Sequence, residues 1–158
     1  MIVLHIEKRI EELGLSLYEG IKPIGSYLPF VKVGNVVYIS GQGPSIQGEY
    51  TDEYKGKVGD NISEEKAYEA ARLTAVNLVS ILKSAVGDLD KVKQIISVHG
   101  YVNSTSGFEE QPFVINGASD LLVEIFGDRG KHSRCAMSVY SLPLGICVEV
   151  ELIALVED

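Results

Sequence analysis

The sequence predicts an α+β domain in which a mixed β-sheet carries helices on one face. The apolar residues switch repeatedly between the two-residue period of strands and the 3.6-residue period of helices. Segments marked in this way follow the order helix, β, β, α, β, α, β, β, punctuated by Gly- and Pro-bearing turns. A length of 158 residues, 46% hydrophobic and 23% charged, suits one domain over residues 1–158, large enough to bury a core without staples.

Residues 4–13 place Ile6, Ile10 and Leu13 on one helical face with Glu7, Glu11 and Glu12 exposed; Gly14 ends the segment, so 1–20 reads as a helical extension. Strands at 27–33 and 36–40 are joined by the turn dipeptide Gly34-Asn35, and Gly41-Gln42-Gly43-Pro44 stops the second. The polar, glycine-bearing stretch 45–61 reads as a surface loop. Ser63 is an N-cap, with Glu64 and Glu65 at the positive end of a helix that runs to Val86. Ala67, Ala71, Thr74, Leu78, Ile81 and Ala85 give that helix a small-residue face able to lie close on a sheet. Residues 92–102 form a third strand. Pro112 opens a further helix where its missing N–H costs nothing, and Gly127 closes it. Two final strands, 134–141 and 146–156, flank Leu142-Pro143-Leu144-Gly145. In the last strand both alternating faces are substantially apolar. With the helices covering one of them, the other calls for a second subunit.

Charge and composition exclude several functions. The net charge is −8 and no basic cluster exceeds Lys8-Arg9, so a phosphate backbone would be repelled over most of the surface and nucleic acid is a poor partner. No apolar run is long enough to span a bilayer, and no secretion signal opens the chain, which fits a cytoplasmic protein. The two cysteines, Cys135 and Cys147, sit in strand-like runs and read as buried thiols. Phosphate-binding glycine loops, nucleophile elbows and histidines at metal spacing are all missing from the sequence. His5 reads as a solvated helix residue and His99 as a satisfied strand histidine.

What remains is Arg134, a permanent charge heading an apolar strand, together with Glu149. A hairpin about Pro143-Leu144 would set Ser138 across from Glu149 and put Arg134, Ser138 and Glu149 on one face. Arg134 would still lie on the order of 13 Å along the strand from Ser138. On these residues alone an ordinary surface or interface ion pair is the simpler reading, and Glu151 reads as solvated or interface-paired.

The string RCAMSVYSLPLGICVEVELIALV resembles the C-terminal signature of the YjgF/RidA family, the reactive-intermediate deaminases once labelled endoribonuclease L-PSP. IGSYLPFVKVGNVVYISGQGP is similar to that family's opening hairpin, and Phe113-Val114-Ile115-Asn116 to a helix bearing an asparagine near the ligand. The ordered set covers most of the chain after residue 20. The resemblance implies a chorismate-mutase-like fold (bacillus type), a homotrimer whose sheets form a central barrel, and ligand clefts between neighbouring subunits. It also implies hydrolysis of small 2-imino and 2-enamino acids, such as 2-aminoacrylate, to 2-keto acids and ammonium. Arg134 would then hold the substrate carboxylate by parallel charge-assisted bonds and Glu149 would position or deprotonate water. Tyr27, Ser40 and Gly41 would shape the cleft, and Asn116 would add a polar contact. No metal or organic cofactor is implied, the imine being already electrophilic.

Alternative readings are a non-catalytic trimer that binds small carboxylate-bearing metabolites and an endoribonuclease; the acidic composition argues against the latter. The chain departs from the family type in carrying His132-Ser133 for Pro-Ala and Ala136 where a cysteine is common. The extension at 1–20 and the 45–61 loop lengthen it, as in a divergent branch.

Overall fold

Alternation along the strands sorts the sheet into a covered face and an open one. In the computed structural model, which describes residues 5–158, the strands are β1 (Phe30–Val33), β2 (Val36–Gln42), β3 (Val92–Asn103), β4 (Ser133–Val139) and β5 (Val148–Val156). The helices are α1 (Ile6–Glu12), α2 (Glu64–Val86) and α3 (Gln111–Phe126). The element order is the one the sequence predicts. Leu4, where the apolar pattern begins, lies outside the described residues. No helix among those described is long and apolar enough to cross a membrane.

The sheet order is β1-β2-β5-β3-β4, with β3 and β4 parallel and all other neighbours antiparallel. In β5, Val148, Val150, Leu152, Ala154 and Val156 are buried beneath the helices, while Glu149, Glu151, Ile153 and Leu155 look the other way. Helices α2 and α3 both lie on the covered face. Ser63 caps α2 by accepting the Lys66 N–H at 3.1 Å, a bond worth about 1 kcal/mol to the helix. The alanine face of α2 is fully buried at Ala67, Ala70, Ala71 and Ala75, which lets α3 approach closely.

Gly117 marks that approach: a Cβ there would fall 2.1 Å from the Tyr68 carbonyl oxygen, on the α2 backbone. Backbone cannot rotate aside as a side chain can. Gly117→Ala is expected to cost about 2–3 kcal/mol and lower the melting temperature by about 5–10 °C, read by circular dichroism on heating. A melting curve matching wild type would mean that the helices separate freely.

Several expectations are corrected. The hairpin between the last two strands does not form: β4 pairs with β3, and β5 inserts between β2 and β3. The unit β3-α3-β4 is a crossover, and its long connection returns the chain parallel to β3, leaving no place beside β4 for β5. Ser138 therefore stands beside Val102, and Glu149 beside Tyr101. Residues 27–29 precede β1 rather than belonging to it, because Pro29 has no N–H for the ladder. The 45–61 stretch is not all surface. Val58 is fully buried and bridges to both Ile62 and Ser104, since the apolar Val58 and Ile62 drive that loop into the core. Both cysteines are free; Cys147 is buried, but Cys135 is exposed because β4 is an edge strand and its side chain points to the open face. That face also presents Val31, Val33, Tyr38 and Met137, each 46–64% exposed. Together they form an exposed apolar patch on that side of the sheet.

Candidate functional site

Parallel register decides where Arg134 points. Its partner on β3 is Val98, a fully buried residue of the covered face, so Arg134 also projects to the helix side. There it meets α3. Nη1 donates to Asn116 Oδ1 at 2.7 Å and to Ser119 Oγ at 3.1 Å, and Nη2 donates to the Pro112 carbonyl at 3.3 Å. A guanidinium has five N–H groups. The Nε–H and one Nη2–H have no acceptor among the described residues, which leaves donors for a carboxylate beside a guanidinium already held in place. Among the described residues Arg134 makes no ion pair with a carboxylate.

Glu149 pairs with Tyr101, three residues beyond Val98, and so points to the opposite face. Arg134 and Glu149 do not share a face as the hairpin would have required. β2 makes room for Glu149. Its register shifts between Ile39 and Gln42, a bulge centred on Ser40 and Gly41. A Cβ on Gly41 would stand 3.1 Å from Glu149 Cδ and 3.2 Å from Oε2, so a larger residue there would push the carboxylate back by a few tenths of an ångström from its place against the backbone. Burial, and secondarily the negative charge of Glu151, raises the Glu149 carboxyl above the usual carboxylate range.

Glu149 and Gly41 open on a cavity of about 350 Å³ that Tyr18, Ile21, Tyr27 and Tyr50 also line. Ser40 is not part of this lining: its hydroxyl donates to the Leu28 carbonyl at 2.6 Å and braces the approach to β1. Tyr27 is 45% exposed at the cavity's edge. Tyr50 is raised chiefly by burial, so its phenol stays a proton donor well above neutrality. The loop carrying Gly43 and Ser45 is tied down by Asn77 of α2, whose buried Nδ2 reaches the Gly43 carbonyl, the Ser45 carbonyl and Ser45 Oγ, each at 3.0 Å. The helix α1 stays clear of the cavity, bound to α3 through Arg9 Nε and the Glu124 carbonyl at 2.9 Å. The segment after it, from Tyr18 to Ile24, is what reaches the cavity wall.

Of the residues singled out in the sequence, the chain thus brings together Arg134 with Asn116, and Tyr27 with Gly41 and Glu149, as two separate groups. Asn77, Tyr50, Ser119 and His132 were not legible as site residues. His99 is a satisfied strand histidine as read, its Nδ1 3.0 Å from Glu151 Oε1. Glu151, read as solvated or interface-paired, is instead paired within the chain, because Tyr101 on the neighbouring strand also donates to that oxygen at 2.9 Å. Burial pushes the Cys147 thiol up to about 12, which disqualifies it as a nucleophile.

A family model described as "YjgF/chorismate_mutase-like, putative endoribonuclease" matches residues 7–156. Protein TCP17 of Trypanosoma cruzi is 37% identical over 153 residues, covering 96% of this chain and 93% of that protein. The crystal structure of a "putative endoribonuclease" from Shewanella oneidensis superposes with a TM-score of 0.91 at 37% identity, over 96% of this chain and 99% of that one. RidA from the Antarctic bacterium Psychrobacter sp. superposes with a TM-score of 0.59 at 26% identity, over 85% and 92% of the two chains. Matched along nearly its whole length in sequence and in fold, the chain belongs to the YjgF/RidA family of chorismate mutase-like proteins.

Proposed function

We propose that this protein hydrolyses small 2-imino and 2-enamino acids to 2-keto acids and ammonium, in clefts between the protomers of a homotrimer. Family membership supports a role of deaminase or endoribonuclease type. One observation carries the finer reading: an arginine with unused donors and a half-buried carboxylate in a cavity lie on opposite faces of one sheet. Neither group alone makes a site. Facing each other across a subunit boundary, they make a complete one, and the apolar open face supplies a reason for subunits to meet.

In that cleft Arg134 grips the substrate carboxylate, and Asn116 holds the guanidinium while its amide NH₂ remains for the ligand. 2-Aminoacrylate tautomerises to its imine by moving a proton from nitrogen to the terminal carbon. Glu149 then takes a proton from water as the water oxygen bonds to C2. That proton passes to the imine nitrogen. The C2 hydroxyl proton then follows it by way of Glu149, the C–N bond breaks with its electron pair going to nitrogen, and ammonia leaves as the C2 carbonyl forms. One water is consumed, and the released ammonia takes up a solvent proton to become ammonium. A raised carboxyl suits this exchange, because a base closer to neutrality both accepts and returns the proton efficiently.

The test generates 2-aminoacrylate in situ from serine with a separate dehydratase and follows keto-acid appearance. Adding this protein is expected to accelerate the step, and light scattering is expected to give the mass of three chains. Pyruvate binding through Arg134 without acceleration would replace the enzyme by a carboxylate-binding module. RNA cleavage abolished by Arg134→Ala would replace it by a nuclease.

A further inference from the structure

The hydrogen bonds behind Arg134 run in one direction and end on fixed backbone. His132 Nδ1 lies 2.6 Å from the Gly130 carbonyl, and its Nε2 lies 2.9 Å from Ser119 Oγ. A carbonyl oxygen only accepts, so the Nδ1 nitrogen carries the proton and, in the neutral ring, Nε2 is the acceptor. The Ser119 hydroxyl then donates to Nε2, which leaves its lone pairs for Arg134 Nη1 at 3.1 Å. Gly130 is buried, and the chain Arg134–Ser119–His132–Gly130 therefore hangs from a rigid point.

We infer that Ser119 and His132 are positioning residues that set the plane of the Arg134 guanidinium for the substrate carboxylate, an inference that rests on the cleft proposed above. Asn116 and Pro112 hold the same group from one side, through Nη1 and Nη2. Ser119 supplies the second acceptor on Nη1, so that both of its protons are committed. A guanidinium fixed in this way keeps its remaining N–H groups in a constant direction, and bidentate recognition depends on that direction. His132 acts one step back. Without an acceptor at Nε2, the Ser119 hydroxyl is free to turn its proton toward Arg134 and lose its role as acceptor.

The experiment measures the dissociation constant for pyruvate, the product, together with KM and kcat for in-situ 2-aminoacrylate, on the full chain. Ser119→Ala and His132→Phe are each expected to weaken pyruvate binding and raise KM by roughly tenfold, leaving kcat within about twofold. Their combination is expected to cost no more than either alone, because both break one chain. Ser119→Thr keeps the hydroxyl and His132→Gln keeps an acceptor, so both are expected to return within about twofold of wild type. A bracing role alone would lower the melting temperature and leave KM and pyruvate affinity unmoved, and would overturn the inference. So would additive losses, or failure of Ser119→Thr to rescue. Arg134→Ala serves as reference: if it binds pyruvate as wild type does, the cleft itself is wrong, whereas loss of binding there with neutral Ser119→Ala and His132→Phe sinks only the positioning chain.

Discussion

Co-expressing Arg134→Ala chains with Glu149→Gln chains is expected to restore about a quarter of wild-type turnover, although each variant alone is expected to lose roughly a hundredfold or more. The reason is geometric. Within one chain the two residues leave the sheet on opposite sides, Arg134 beside Val98 and Glu149 beside Tyr101. A cleft that uses both must draw them from different protomers. In a ring of identical subunits each cleft takes its arginine from one neighbour and its carboxylate from the next, so random assortment makes one cleft in about four wholly intact. Arg134→Ala removes the carboxylate grip, and Arg134→Lys does not restore it, because an ammonium cannot offer two parallel donors. Keto-acid formation is measured per cleft, at about a quarter of wild type in the unfractionated mixture and about a third in mixed assemblies isolated through different affinity tags on the two chains, each of which keeps one intact cleft in three. Both variants assembling normally while the mixture stays inactive would place the active residues within a single chain and refute the shared cleft.

The same geometry shows where the sequence was legible. Helix and strand periodicities are local, and so the order of elements, the Ser63 cap, the opening of α3 at Pro112 and the alternation of β5 all read correctly. Strand pairing is not local. Nothing in residues 133–156 announces that β4 runs beside β3, because the crossover through α3 decides it. Nearness in sequence suggested a hairpin, and with it the wrong face for Arg134.

The site divides in the same manner. Motif resemblance points to Arg134, Asn116, Gly41 and Glu149, and the structure gives each a partner or a cavity. Ser40, chosen with them, spends its hydroxyl on Leu28 instead. Asn77 binds across 32 and 34 residues to Ser45 and Gly43, and Ser119 meets His132 across 13. Such bonds leave no periodic trace. A lone asparagine in an alanine-rich helix was the one available signal, because a buried amide there must find acceptors elsewhere.

Glu149→Gln is expected to reduce kcat by roughly 10²–10⁴-fold, the usual worth of a positioned general base, while keeping the side chain's shape against Gly41. The pH profile supplies the stricter test. Burial first, and the Glu151 charge second, raise the Glu149 carboxyl. A base must be ionised to take a proton from water, so kcat/KM falls as pH drops through the pKa of that carboxyl, and burial together with Glu151 moves this acid limb upward. In the proposed cleft, Arg134 of a facing protomer would pull the other way, favouring the carboxylate, and the limb's absolute position is then the balance of these effects. One sign is independent of that balance. Replacing Glu151 by Gln removes a like charge but retains an oxygen to accept from Tyr101, so the acid limb must move to lower pH. Steady-state kinetics across the acid range read the limb in wild type and in Glu151→Gln. A limb that stays in place or moves upward would separate it from Glu149, and activity surviving in Glu149→Gln would leave the water to be positioned by another group, of which the cavity's Glu49 is the nearest in kind.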